Sequence, residues 1–290
     1  MLFLLQKRDL TMDKREICDL IIKLYHSQGE SILPASADIV PEYAGLRLFD
    51  APVVGFASAE DPLFELYKKP GVIGPWHMSP REWLPGAETV LSLFFPITKE
   101  IRESNAREQE LASLPWLYAR IEGQAFIGRY MQAFAEKLRG SGAAVCVPQA
   151  DPRWQSVKNG EGIEGYDEMT PETFGSRWSE RHAAYVCGLG TFGLSKGLIT
   201  KRGIAGRFAS VVTDLAFEPD PRPYKGVYDY CIQCGACAVR CPVGAIDPVK
   251  GKDHIICSQC LDRSRELFRP RYGCGLCQTG VPCEDRNPAE

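Results

Sequence analysis

Apolar positions along the first part of the chain repeat with two different periods. In residues 13–25, Ile17, Leu20, Ile21 and Leu24 fall on one face of a 3.6-residue repeat, which predicts a helix capped by Asp13 and stopped by Gly29. Residues 51–57 and 89–95 are short apolar runs bounded by turn residues, the pattern of buried strands. From about residue 117 to 138, Ile121, Ile127, Tyr130, Met131, Phe134 and Leu138 return every three or four positions, predicting a long helix that Gly140 stops. Residues 143–147 and 208–213 read as two more strands, so this part is a mixed α/β layer structure. Pro219, Pro221 and Pro223 then enforce an extended connection. The expected organisation is an α/β domain over residues 1–217 and a smaller domain over 218–290.

Composition narrows the function classes. With 290 residues, 44% of them hydrophobic, the chain buries a substantial core. A formal net charge of −3 argues against a broadly basic nucleic-acid surface. No apolar stretch reaches the length that spans a bilayer. The opening Met1-Leu2-Phe3-Leu4-Leu5 is too short for an export-signal core and no basic segment precedes it. The expectation is a cytoplasmic protein without a membrane partner.

The last sixty residues hold nine of the twelve cysteines. Cys231, Cys234, Cys237 and Cys241, the last followed by Pro242, have the spacing of the cubane-binding run of bacterial ferredoxins. Three cysteines two residues apart wrap a tight loop around one cluster, and the fourth reaches another, so one run predicts a second ligand set. Cys257, Cys260, Cys274, Cys277 and Cys283 supply it. Two cubanes use eight thiolates, which leaves one of the nine surplus. Zinc knuckles would leave the third and fourth cysteines of the run unexplained, and disulfides suit small secreted chains. Cys18, Cys146 and Cys187 lie alone in apolar surroundings, as small buried hydrophobes do.

Residues 179–193 form the second informative segment. A helical stretch containing Glu180, Arg181 and His182 ends in Gly188, Gly190 and Gly193. Three glycines let backbone approach a ligand closely or simply permit a tight turn. No strand precedes them, as a dinucleotide fingerprint requires. Taken with the strand ending in Thr213-Asp214, the proline linker and the cysteine run, this order resembles the epoxyqueuosine reductases and their relatives, the reductive dehalogenases. The run from Val53 to Ala57, His77-Met78 and Pro85-Gly86-Ala87 match that family more loosely. The resemblance covers about residues 50–285.

The resemblance implies an α+β fold: a mixed α/β, nitroreductase-like domain holding base-off cobalamin, then a small bacterial ferredoxin-like domain with two [4Fe–4S] clusters. The family's ligand pattern, laid on this chain, puts Cys231, Cys234, Cys237 and Cys283 on one cluster. Cys241, Cys257, Cys274 and Cys277 take the other, and Cys260 is spare. Arg181, His182, Gly188, Gly190, Gly193 and Ser195 become candidate cobalamin contacts. Six residues before Glu180, where the family has a catalytic aspartate, stands Phe174. Glu172 and Tyr185 are the candidate proton donors, with Asp167, Glu168 and Tyr166 nearby. The family's Gly-Lys-Asn reads Gly193-Leu194-Ser195, with Lys196 displaced. The sequence ends soon after Cys283, and the resemblance is to a short form without the helical repeats that engage tRNA.

Three readings stay open. The first is a corrinoid-dependent reductase of an unidentified small molecule, fed by a low-potential ferredoxin- or flavodoxin-type donor. The second is an electron-transfer partner that reduces another protein's corrinoid or flavin. The third is epoxyqueuosine reduction on tRNA, against which Phe174 counts. For that third reading Arg263, Arg265, Arg269 and Arg271 form a candidate RNA-facing patch, whereas the simpler view makes them a solvated helix face shielding anionic clusters.

Overall fold

The computed structural model describes residues 12–29, 31–36, 38–157 and 175–290. In chain order, helix α1 (Lys14–Ser27), strand β1 (Val53–Ser58), short helices α2 (Pro62–Leu66) and α3 (Pro80–Trp83), strand β2 (Thr89–Pro96), helices α4 (Lys99–Ala106) and α5 (Leu114–Gly140) and strand β3 (Val145–Cys146) precede a ribbon of β4 (Ser156–Val157) and β5 (Gly175–Ser176). Helix α6 (Glu180–Val186), hairpin strands β6 (Gly190–Phe192) and β7 (Leu198–Thr200) and strand β8 (Gly206–Thr213) complete the layer structure. The cysteine-rich part adds α7 (Ala236–Val239), a ribbon of β9 (Ile246–Asp247) and β10 (Gly251–Lys252), and α8 (His254–Phe268).

Every residue of β2 is buried, because β2 lies inside an antiparallel sheet of order β1-β2-β8-β3 whose two faces are both covered. Alternation sorts its side chains. Leu91, Leu93 and Phe95, with Ala209 and Val211 of β8, join the core formed with α1 and α5, while Val90 and Val212 pack on the other face with Ala183 and Val186 of α6. The register pairs Val90 with Val212 and Phe94 with Phe208. That places Arg207 on the α5 side of β8, and Ser210 on the α6 side.

The expected elements are present, with shifted ends. Asp13 and Glu16 form a reciprocal capping box on α1, and Gly29, at φ 79°, lies just past its end. Helix α5 starts three residues ahead of the periodic signal because Ser113 caps it, accepting from the Trp116 N–H, with Pro115 in the first turn. Only Val145 and Cys146 of the predicted 143–147 strand pair with β8. Cys146 and Cys187 are buried and Cys18 is half-buried, as expected. Among the described residues no helix is long and apolar enough to cross a membrane.

The cysteine-rich part is tied to the layer structure by polar contacts. Arg102 of α4 reaches Glu284 (3.0 Å) and Asp285 (3.3 Å), and Asn105 donates to the Thr279 hydroxyl at 3.0 Å. Arg271 corrects the expectation of an arginine-covered helix face. Helix α8 ends at Phe268, and Arg271 beyond it is buried, ion-paired with Glu122 (2.6 Å) and donating to the Asp38 carbonyl (2.7 Å). It locks the two parts together and is not available to a polyanion.

Candidate functional site

Cys231, Cys234, Cys237 and Cys283 line one cavity, together with Gly193, Leu194 and Ser195. The β6–β7 hairpin positions the start of the run: Phe192 N–H donates to the Val227 carbonyl and Tyr230 N–H to the Thr191 hydroxyl, both at 2.8 Å. Gly235, at φ 73°, then turns the chain into α7, which carries Cys237. Cys283 arrives from the far end of the sequence because Ile204 and Ala205 donate to the carbonyls of Cys283 (2.9 Å) and Glu284 (3.1 Å). Burial pushes the Cys237 thiol up to about 11 and Cys283 up to about 12, with the neighbouring thiols adding to each. These sulfurs therefore lose their protons when metal binds.

Cys241, Cys257, Cys260, Cys274 and Cys277 form a second group. Helix α8 presents Cys257 and Cys260 one turn apart on one face. The loop holding Cys274 is fixed by Gly273 N–H donating to the Ser264 hydroxyl (3.0 Å) and by Asn105 donating to the Cys274 carbonyl (3.3 Å). At Gly275 a side chain would collide with the Trp116 indole. Ala245 N–H donates to the Cys241 sulfur at 3.2 Å. Burial pushes Cys277 up to about 11, and Cys274, Cys257 and Cys241 are close enough to raise it further. Cys260 and Cys274 interact directly: Cys260 is the thiol that ionises first, and Cys274 keeps its proton. Cys237 of the first group feels the charge of Cys277 in the second, so the groups adjoin. Among the described residues no three His, Cys, Asp or Glu side chains converge on a single metal ion.

Arg181 stands where the second group meets α6. It is solvent-accessible although protein surrounds it, so it lines a recess. Desolvation lowers its pKa, while Cys277 and Cys257 favour its charged form. Its guanidinium donates to the Lys196 carbonyl at 2.6 Å. The neighbouring His182 bonds through Nδ1 to the Ser179 hydroxyl (2.7 Å), and desolvation, reinforced by Arg181 and His77, pulls it down to about 3. It is a neutral imidazole at neutral pH. Ser195 lines the first cysteine cavity, and Tyr185 packs in an apolar cluster with Phe192 and Tyr224.

The glycines have causes within the chain. A side chain at Gly190 would collide with the Ile199 carbonyl of the facing strand, and one at Gly188, whose φ is 78°, would come within 3.0 Å of the Pro221 carbonyl. A Cβ added at Gly193 would lie 3.2 Å from the Ile199 side chain. Gly190 is thus required by its own hairpin and Gly188 by the linker, while the positive charge of Arg181 beside the second cysteine group fits a phosphodiester-bearing corrinoid.

Several features here carry no sequence motif. Glu180 is buried beside Ser210 and Trp178 with neither carboxyl oxygen in full hydrogen-bond geometry to a described residue, and desolvation, opposed by these two polar groups, pushes its pKa up to about 7. His77 is buried against Trp178 with both ring nitrogens unpartnered, and desolvation takes it down to about 4. Arg207 of β8 is also near enough to Arg120 of α5 and to Arg181 to feel their charges, a proximity that only the places of α5 and β8 reveal. Glu172, Glu168, Asp167, Tyr166 and Phe174 lie outside the described residues.

Residues 224–247 match a family model described as a 4Fe-4S binding domain, and Cys231, Cys234, Cys237 and Cys241 all fall within the match. This part of the chain is an iron–sulfur binding segment. No curated protein matches the chain. Similar solved structures include an epoxyqueuosine reductase with a tRNA-Tyr epoxyqueuosine-modified stem loop, at 16% identity and TM-score 0.48, matched over 92% of this chain and 66% of that one. The epoxyqueuosine reductase from Streptococcus thermophilus is matched at 16% identity and TM-score 0.44 over 94% of this chain and 69% of that one. The catabolic reductive dehalogenase NpRdhA, in complex with 3-bromo-4-hydroxybenzoic acid, is matched at 15% identity and TM-score 0.49 over 94% and 36%. The chain thus spans 66% of the first reductase and 36% of the dehalogenase.

Proposed function

We propose that the chain is an iron–sulfur reductase with two [4Fe–4S] clusters that delivers low-potential electrons to a corrinoid in the recess beside Arg181, for the reduction of a small molecule. The observation that carries this reading is the division of nine cysteines into two adjoining groups. The first includes the exposed Cys234, where a ferredoxin- or flavodoxin-type donor has access, and the second lies against Arg181 of the layer structure. Cys231, Cys234, Cys237 and Cys283 are the proposed ligands of the outer cluster, and Cys241, Cys257, Cys274 and Cys277 those of the inner one.

A bound corrinoid would supply a cobalt centre able to accept these electrons and cleave a bond in the substrate. The chain's own contribution is charge and exclusion of water. Arg181 offsets the negative charge of the inner cysteines, and His182, held neutral, is a hydrogen-bonding neighbour without a competing charge. Glu172 remains the first candidate proton donor, tested by Glu172→Gln. The protein is expected to be cytoplasmic, with residues 218–290 as the cluster domain.

A second reading, an electron carrier serving another protein, is favoured by the structural causes of Gly188 and Gly190. Anaerobic titration with cobalamin separates the two: a saturable shift of the visible spectrum supports the reductase, and no shift together with unchanged thermal stability moves the carrier ahead. Epoxyqueuosine-containing tRNA belongs in the same assay, because multiple turnover of it would replace the small-molecule substrate with RNA.

A further inference from the structure

The two buried arginines among the described residues have carboxylate partners: Arg102 has Glu284 and Asp285, and Arg271 has Glu122. Arg120, Arg181 and Arg207 depart from that pattern. Among the described residues none of the three has a carboxylate within salt-bridge distance. Arg207 gives its Nε–H to the neutral Gln124 amide at 2.8 Å and its terminal nitrogens have no described partner. Gln124 lies one helical turn after Arg120 on the same face of α5, so the two guanidinium groups are neighbours. Arg120 stacks on Tyr272 at 4.4 Å, with its Nε buried and unpartnered. Arg181 approaches from α6, near enough to repel Arg207. Desolvation first, then the charge of Arg120 and more weakly that of Arg181, bring Arg207 down to about 9, with Tyr272 opposing them.

We infer that Arg120, Arg181 and Arg207 form the recognition site for the oxyanion, carboxylate or phosphate, of a small ligand in this recess. The guanidinium forks match the two oxygens of such a group. Calling that ligand the substrate rests on the reductase reading above; the site itself does not.

The test is anion binding by the anaerobically purified, iron-loaded full chain without added corrinoid, using inorganic phosphate and benzoate as probes and calorimetry as readout. Saturable binding by the wild type is expected, weakened about tenfold or more in Arg207→Gln, as loss of a charged hydrogen bond implies. Arg207→Lys keeps the charge but not the fork, and is expected to retain its iron and still bind more weakly. Absence of saturable binding to the wild type, or unchanged affinity in Arg207→Gln, overturns the inference. Cobalamin and cobinamide, which lacks the nucleotide phosphodiester, separate the sources: competition with the probes by cobalamin alone would assign the site to the corrinoid's own phosphate and overturn a substrate role. Because probe binding is read without corrinoid, a failure of the reductase reading leaves this result intact.

Discussion

The thiols of Cys260 of α8 and Cys274, fourteen positions further along the chain, lie within hydrogen-bonding reach of each other. The surplus cysteine therefore stands inside the second group and is not a stray core residue. With Cys274 as ligand and Cys260 as its neighbour, Cys260→Ser should keep about eight irons per chain, whereas Cys234→Ser should keep about four. Iron analysis after anaerobic purification decides it. Four irons in the Cys260 variant would make Cys260 a ligand and release one of its neighbours.

Glu180 makes stability fall with rising pH. Its folded pKa is raised from 4.5 to about 7, so the native state holds a proton that the unfolded state has lost between those values. Stability is full below the unfolded pKa and declines as pH rises toward 7, where the cost levels off on the order of 3 kcal/mol. Glu180→Gln should flatten this dependence and be the more stable protein at pH 8. Denaturant midpoints measured anaerobically at pH 5 and 8 provide the check; parallel curves for both proteins would mean that Glu180 finds a partner in solution.

Much of this architecture was legible because it obeys short-range rules. The capping pair Asp13 and Glu16, the apolar strands around Val90 and Val211, and the cysteine spacing are each written locally. Helix α8 was harder to see: only Ile255, Ile256, Leu261, Leu267 and Phe268 are large apolar residues in it, and its role is to present Cys257 and Cys260. The arginine cluster was invisible, since Arg120, Arg181 and Arg207 are distant in sequence and meet only through the register of β8 and the docking of α5 and α6. Arg271 misled for the converse reason. A basic run reads as solvated surface until the fold supplies Glu122.

Gly190 and Gly193 separate a structural from a ligand-binding role for the glycine turn. Gly190→Ala forces a Cβ against the Ile199 carbonyl and should cost more than about 2 kcal/mol, with or without corrinoid. Gly193→Ala faces only the Ile199 side chain at 3.2 Å, which can shift, and should be nearly neutral for stability. Thermal unfolding of both variants, with and without cobalamin, is the measurement. A stable Gly193 variant that no longer binds cobalamin would return the turn to the cofactor.

Arg102 controls the outer cysteine group from outside it. Its guanidinium holds Glu284 at 3.0 Å and Asp285 at 3.3 Å while a third donor satisfies the Ile97 carbonyl at 2.7 Å, and Glu284 adjoins Cys283. Arg102→Met keeps the bulk of the aliphatic stem but strands three acceptors, at a cost of about 2 kcal/mol or more. The segment carrying Cys283 should loosen first. In the presence of an iron chelator the variant is expected to lose about half of its iron several-fold faster than the wild type, with the remainder, held by the inner group, leaving at the original rate. Uniform acceleration of all the iron would show that Arg102 supports the whole cysteine-rich part, and an unchanged rate would show that the backbone bonds from Ile204 and Ala205 hold Cys283 without it.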